Sequence, residues 1–163
     1  MSTFEVSRST SIAADQASVH GRINDFHEWT AWSPWEDVDP NLQRIYTGPD
    51  QGVGAHYAWQ GNRQAGQGSM EIVSSTPEQI GIKLSFLKPW KATNAVTFTL
   101  APSGDGTRVT WRMTGPATMM TKVMGLFTSM DKMIGPDFER GLAAMKTAAE
   151  TAAKTPTAVS AAP

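Results

Sequence analysis

The sequence contains no cysteine, which excludes disulfide bonds, a thiol nucleophile and every cysteine-ligated metal site. It also lacks any run close to the ~20 apolar residues that a membrane-spanning helix requires. Its first ten residues, MSTFEVSRST, include no apolar segment of the kind found in secretory signals. We therefore expect a cytoplasmic protein without stable membrane insertion.

Neither sign of charge is in excess. The 163 residues include 14 basic and 15 acidic side chains, which give a net charge of -1 and an isoelectric point near 6.3. Such a balance provides no electrostatic footprint for nucleic acid or for an anionic membrane surface. We expect neither of them as a partner.

Sequence motifs for metals and phosphates are also lacking. The three histidines, His20, His27 and His56, do not have the spacing of metal ligands, and no HExxH pattern accompanies them. The glycines of segments 52–54 and 104–106 lie between predicted strands and match neither phosphate-loop template. We predict no metal site and no cofactor.

Methionine and tryptophan are unusually frequent, with nine and six copies. Thioether side chains adapt to irregular spaces, and indole rings form large amphipathic walls. The composition therefore favours either a deformable core or a deformable pocket.

The N-terminal part of the chain predicts a strand followed by two short helices. Residues Thr3–Ile12 alternate between an apolar-rich face and a polar face, which is the period of a β-strand. Asp15 is a suitable N-cap for a helix over residues 16–25. A second helical segment, over residues 26–32, should stop before Pro34, because the residue preceding a proline is disfavoured in the α conformation.

Six further strands follow, each of them short, alternating and bounded by turns that contain glycine or proline. Antiparallel strands with a single apolar face need to be covered on that face only. We predict these strands over residues 42–47, 54–60, 67–75, 79–87, 91–101 and 107–115.

The longest helical pattern lies near the C-terminus, over residues 129–153. Its apolar side chains recur at helical spacing and form one stripe, which needs a partner surface. The predicted sheet is large enough, so we expect it to curve around this helix. We predict one domain over residues 1–153 and a disordered tail over residues 154–163. The stripe consists of Met130, Met133, Ile134, Phe138, Leu142, Met145 and Ala149.

Five segments carry a resemblance to a known family: WSPWE (32–36), GVGAHYAW (52–59) with GN (61–62), GQGSM (66–70), GTRVTW (106–111) and DFERGL (137–142). Over residues 3–153 the chain resembles the START-like superfamily, and within it the polyketide cyclase/dehydrase-type SRPBCC proteins. The resemblance implies an α+β helix-grip fold. In that fold a curved antiparallel sheet of about seven strands, in the order β-α-α-β6-α, wraps around a long C-terminal helix.

The resemblance also implies a hydrophobic cavity between the sheet and the long helix, suited to a lipid or to an aromatic, polyketide-like compound. The predicted inward faces agree in kind, since aromatic and methionine side chains are the usual lining of small-molecule sites. The ligand-binding candidates are Trp32, Trp35, Tyr57, Trp59, Met70, Phe86, Asn94, Phe98, Trp111, Met113, Met120, Met124, Phe127, Met130, Ile134 and Phe138.

Asn94 differs from the other candidates because it is an amide in phase with apolar neighbours. Its hydrogen-bonding groups must find partners inside the protein or be turned outward at a bulge. The sequence leaves open whether the partner is the backbone, a buried water or a polar group of a ligand.

Two other functions remain open at the level of sequence. The first is a polyketide cyclase/dehydratase-like enzyme, in which burial would raise the pKa of Glu36, near Asp37 and Asp39, so that it acts as a general base. A carboxylate in a turn or in solvent is the other interpretation of Glu36. The second function is protein interaction through the methionine-rich residues 119–133. The sequence is compatible with a monomer and with a homodimer.

Overall fold

A computed structural model describes residues 3–35, 39–62, 65–88, 91–116 and 130–154. Within these ranges the chain forms seven strands, two α-helices and one 3₁₀ helix. In chain order they are β1 (Thr3–Ile12), α1 (Gln16–Asn24), the 3₁₀ helix (Phe26–Ala31), β2 (Gln43–Thr47), β3 (His56–Gln60), β4 (Gln67–Thr76), β5 (Gln79–Lys88), β6 (Ala92–Ser103), β7 (Gly106–Pro116) and α2 (Met130–Lys154).

The seven strands form one antiparallel sheet in the order β1-β7-β6-β5-β4-β3-β2, which is curved and does not close. From β2 to β7 each strand pairs with the next along the chain, and β1 returns to pair with β7. The register shifts between Ile72 and Ser74, and such irregularities bend a strand and increase its twist. The predicted α+β helix-grip architecture is confirmed.

The boundaries of the predicted strands agree with the structure to within two residues, but the second helical segment is a 3₁₀ helix and not an α-helix. Only six residues separate its N-cap, Asp25, from its C-cap, Trp32, and 3₁₀ geometry is common in pieces this short. The N-cap predicted at Asp15 is confirmed, since its carboxylate accepts a hydrogen bond from the Ser18 backbone N–H. Bonds from Ser18 also lower the pKa of Asp15.

The apolar stripe of α2 is buried from Phe138 to its C-terminal end at Ala149. Phe138, Leu142, Met145 and Ala149 are buried, whereas Ile134 is half-buried. The helix packs chiefly on β1, and it also contacts α1 and the 3₁₀ helix. It continues through Lys154, and the rest of the predicted tail, residues 155–163, lies outside the described residues.

Arg8 links β1 to the first turns of α2 through two ion pairs. Its guanidinium lies between two carboxylates of the helix, with Nη1 2.7 Å from Asp131 Oδ1 and Nε 2.8 Å from Glu139 Oε2. Gly135 lies midway between these acids, and a Cβ atom there would collide with the guanidinium. The hydrogen bond from Arg8 lowers the pKa of Asp131.

Candidate functional site

An apolar cavity of about 210 Å³ lies between the concave face of the sheet, the 3₁₀ helix and α2. The strands contribute most of the wall, and the 3₁₀ helix with the loop after it contributes the opposite side. Helix α2 contributes one described residue. The described lining residues are Phe26, Trp29, Ser33, Trp35, Leu42, Tyr57, Trp59, Ala65, Met70, Leu84, Phe86, Val96, Trp111, Met113 and Phe138.

Trp111 of β7 is the centre of an aromatic cluster that forms the deep wall. Its ring is parallel to Phe138, with centroids 4.0 Å apart, and it also stacks on Phe98 of β6 at 5.1 Å. Trp29, Trp32 and Trp35 meet it at steep angles, between 78° and 87°. Edge-to-face and offset contacts of this kind suit aromatic pairs and hold the rings in place.

The indole N–H groups of the cluster differ in how they are satisfied. Trp29 Nε1 donates to Ile23 O at 2.9 Å, and Trp32 Nε1 donates to Arg22 O at 3.0 Å, so α1 anchors both rings. Among the described residues, the only buried side-chain nitrogen or oxygen without a hydrogen-bond partner is Trp111 Nε1.

The outer rim of the cavity is organised by a buried carboxylate. Asp39 is 8% exposed, and its two oxygens accept the backbone N–H groups of Asn41 at 2.8 Å and Asn62 at 2.7 Å. These bonds join the loop before β2 to the hairpin after β3, next to the lining residues Leu42 and Ala65. Both carboxylate oxygens of Asp39 are therefore used in hydrogen bonds that stabilise the loops at the rim.

Eight of the predicted ligand-binding residues line the cavity. All of them come from the inward faces of strands, from the loop after the 3₁₀ helix, or from the stripe of α2. They are Trp35, Tyr57, Trp59, Met70, Phe86, Trp111, Met113 and Phe138.

Four other predicted residues are described but do not line the cavity. Trp32 and Phe98 are almost fully buried in the aromatic cluster behind the wall. Ile134 is half-buried on α2, one helical turn before Phe138. Asn94 borders a separate, shallower depression on the sheet.

Asn94 has one weak hydrogen-bond partner among the described residues. It is 7% exposed, and its Nδ2 lies 3.7 Å from Met113 Sδ, a weak acceptor. Its Oδ1 occupies the space beside Gly115 on β7, where a side chain would collide with it. The amide is thus accommodated by a neighbouring glycine.

The side chains of the other predicted site residues are not among those that the structure describes. Glu36, Met120, Met124 and Phe127 lie outside the described residues, as do the side chain of Met130 and most of the methionine-rich segment 119–133. Their proposed roles stay predictions.

Seven lining residues were not among the predicted ones. Leu84 and Val96 lie on strand faces that the alternation marks as inward, and Phe26 and Trp29 are three residues apart, which places them on one face of a 3₁₀ helix. These four had a signal in the sequence. Leu42 begins the strand predicted over residues 42–47 and lies just before β2 in the structure, whereas Ser33 and Ala65 lie outside regular elements, where no periodicity identifies a buried side.

The described lining carries no acidic side chain, no histidine, no lysine and no arginine. The described part of the chain also brings together no group of three or more His, Asp or Glu suited to a metal ion. None of the helices it contains is both long and apolar enough to cross a bilayer.

Residues 3–150 match a family model described as polyketide cyclase / dehydrase and lipid transport. The chain belongs to this family. The resemblance seen in the five segments of the sequence is therefore confirmed. No curated protein matches the chain.

Solved structures with low sequence identity have the same fold. Protein CV1439 from Chromobacterium violaceum is 14% identical with a TM-score of 0.63, over 90% of this chain and 96% of that one. The di-domain ARO/CYC StfQ from the steffimycin biosynthetic pathway is 13% identical with a TM-score of 0.67, over 93% of this chain and 52% of that one. Aha1 from Colwellia psychrerythraea, described as a dimer, is 16% identical with a TM-score of 0.58, over 90% and 96% of the two chains.

Proposed function

We propose that this family member binds a small, mainly apolar aromatic molecule in the cavity between sheet, 3₁₀ helix and α2. The observation that carries the proposal is the composition of the wall. Eight of the fifteen described lining residues are aromatic, and none carries a full charge at neutral pH. Apolar walls with few polar groups are typical of small-molecule sites. The family description, polyketide cyclase / dehydrase and lipid transport, is compatible with an apolar small-molecule ligand.

The size of the cavity favours one or two fused rings over a long acyl chain. Its volume of about 210 Å³ exceeds the roughly 150 Å³ that holds benzene, and it is below the roughly 300–1,000 Å³ of sites for drug-sized ligands. Burying about 200 Å² of apolar surface at about 25 cal/mol per Å² contributes about 5 kcal/mol. Part of this is offset by the entropy lost on association, so we expect a dissociation constant on the order of 10⁻³ M.

Catalysis is not part of the proposal. General acid–base chemistry needs a titratable side chain within hydrogen-bonding reach of the reacting atoms. The described lining offers none that titrates near neutral pH, and Glu36 lies outside the described residues.

The proposal is tested by titrating the protein with tetralin, a bicyclic hydrocarbon, and with 1-decanol, a straight-chain alcohol of equal carbon number. Binding is measured by calorimetry and by shifts of methyl resonances. We expect tetralin to bind at least tenfold more tightly than the alcohol. No binding of tetralin near its solubility limit, or equal binding of both compounds, would overturn the proposal.

A matched pair of variants locates the site. Val96 of β6 is buried in the cavity wall, and Val73 is an exposed valine on β4, two strands away in the sheet. Val96→Phe adds a ring to the cavity and should weaken tetralin binding at least tenfold. Val73→Phe makes the same chemical change outside the cavity and should leave the affinity unchanged.

A further inference from the structure

Trp111 has an unsatisfied donor in the cavity wall. The residue is 2% exposed, and no described group accepts a hydrogen bond from its Nε1–H. Trp59, another lining indole, donates its N–H to Ala65 O at 3.0 Å, as Trp29 and Trp32 donate theirs to backbone carbonyls. A buried Trp N–H usually has a partner, and leaving one without it costs free energy. The exception at Trp111 therefore calls for a functional reason.

The orientation of the indole shows which side the N–H faces. Cζ3 of Trp111 lies beside α2, because a Cβ atom at Gly141 would come within 2.8 Å of it. Cζ3 and Nε1 are at opposite ends of an indole, so the N–H points away from α2. The N–H also lies in the ring plane, and the stacked rings of Phe138 and Phe98 are not placed to accept it.

Trp35 is the most exposed of the three indoles that meet Trp111 at steep angles. Its ring meets Trp111 nearly edge-on, with centroids 6.0 Å apart at 87°, and it is 39% exposed at the cavity rim. Trp29 and Trp32, which also meet Trp111 at steep angles, are almost fully buried and anchored by α1. A small rotation of Trp35 would therefore disturb less packing than a rotation of Trp29 or of Trp32.

We propose that Trp111 Nε1–H is the group that selects, among small aromatic molecules, those that carry a carbonyl or ether oxygen. This inference rests on the proposed binding function and names the chemistry that the site prefers. The ring system of the ligand fills the apolar cavity, and its oxygen accepts a hydrogen bond from Trp111 Nε1–H, the one buried side-chain donor without a partner among the described residues. A hydrocarbon of the same shape leaves that donor buried without a partner.

The test compares 1-tetralone with tetralin, which differ by one ketone oxygen on the same bicyclic skeleton. The readout is the ratio of their dissociation constants, measured by calorimetry in the wild-type protein and in two variants. Trp111→Phe keeps an aromatic ring and removes the donor, so the preference for the ketone should fall about fivefold, as expected for one neutral hydrogen bond. Trp32→Phe removes an N–H that already donates to Arg22 O, in a residue behind the cavity wall, so the ratio should stay the same.

A measurement on the wild-type protein keeps the test independent of how Trp111→Phe folds. The Hε1 resonance of Trp111 is followed in ¹⁵N spectra and is assigned as the indole peak that no other Trp→Phe variant removes. Saturation with 1-tetralone should move this resonance downfield, and tetralin should not. An Hε1 that lies upfield, over a neighbouring ring face, and that stays unmoved by the ketone would overturn the inference.

Failure of this inference is distinct from failure of the binding function. The role of Trp111 alone would be overturned if the ratio of the two dissociation constants were equal in the wild type and in Trp111→Phe, while the wild type still bound tetralin and Val96→Phe bound it more weakly. Absence of binding by both compounds would overturn the binding function itself.

Discussion

Phe138 of α2 lies parallel to Trp111 of β7, with ring centroids 4.0 Å apart and an angle of 6° between the rings. This pair joins the long helix to the sheet at the point where both border the cavity. Because one contact serves packing and the cavity wall, substitutions here should change stability and binding together.

Replacing Phe138 with alanine should lower the free energy of unfolding by about 3–5 kcal/mol, the usual cost of removing a buried phenylalanine. The loss includes the apolar area of the ring and its stacking on Trp111. Urea denaturation followed by tryptophan fluorescence measures it. Val53→Ala, at an exposed position, is the control and should change stability by less than about 0.5 kcal/mol. A cost below about 1 kcal/mol at Phe138 would show that α2 is not held by this contact.

Gly141→Ala should also destabilise the protein, although alanine is the better helix former. A Cβ atom at this position would lie 2.8 Å from Trp111 Cζ3 and 2.9 Å from Pro34 Cδ, and both belong to rigid rings. We expect a net loss of about 1–3 kcal/mol from overpacking, together with a change in the near-ultraviolet circular dichroism of tryptophan. A stabilised variant with an unchanged spectrum would contradict the close approach of α2 to β7.

Gly135→Ala should gain none of the usual benefit of alanine in a helix, because the new Cβ would displace the guanidinium of Arg8. The matched control is Gly21→Ala in α1, where no atom lies within 4 Å of the new Cβ. That control should be stabilised by about 0.5–1 kcal/mol. Thermal unfolding of both variants gives the comparison.

Removing Arg8 provides a second check on the same contact. In an Arg8→Ala background the obstruction is gone, so adding Gly135→Ala should now stabilise the protein as Gly21→Ala does. Equal stabilisation by Gly135→Ala with and without Arg8 would show that the guanidinium does not occupy this space.

The ion pair of Arg8 with Asp131 predicts a dependence of stability on pH. The hydrogen bond from Arg8 lowers the folded-state pKa of Asp131 below its ordinary value of 3.8. A lowered pKa means that the contribution to stability is present above pH 3.8 and is lost as the pH falls through the folded-state pKa. Asp131→Asn should therefore be less stable than the wild type at pH 7, and the difference should shrink below pH 3.8.

Urea denaturation between pH 7 and pH 2.5 measures this difference. Because Asp131 is exposed and Arg8 is only half-buried, added salt should reduce it at every pH. In an Arg8→Gln background, Asp131→Asn should no longer alter the pH dependence. An undiminished difference at pH 2.5 would mean that the aspartate acts through packing and not through its charge.

Much of the fold follows from local patterns. The alternation of apolar and polar residues located all seven strands to within two residues, since a strand with one buried face must repeat every second residue. The stripe of α2 was read from helical spacing in the same way, and its members from Phe138 to Ala149 are buried. The 3₁₀ geometry of Phe26–Ala31 was missed, because short α-helical and 3₁₀ segments have similar residue preferences.

The cavity was only partly predictable. Periodicity identifies the buried face of Phe98 and of Trp59, but it does not say that Phe98 is enclosed by other rings while Trp59 borders the open space. Ser33 and Ala65 lie in the wall because two loops that are distant in sequence are brought together. Asp39, in the first loop, accepts a hydrogen bond from the backbone N–H of Asn62 in the second. Contacts of this kind depend on the path of the whole chain.

By itself the sequence determined the order of the elements, the faces they bury and the absence of cysteine-based chemistry, because each of these depends on residue type and spacing alone. Only the tertiary structure decided where space is left between the buried faces. Among the described residues, it also left the buried donor of Trp111 without a partner, while the buried indoles of Trp29 and Trp32 and the half-buried indole of Trp59 donate to backbone carbonyls. How side chains pack depends on which surfaces meet in the folded chain. The sequence of a single strand or helix does not specify which of its polar groups will lack a partner there.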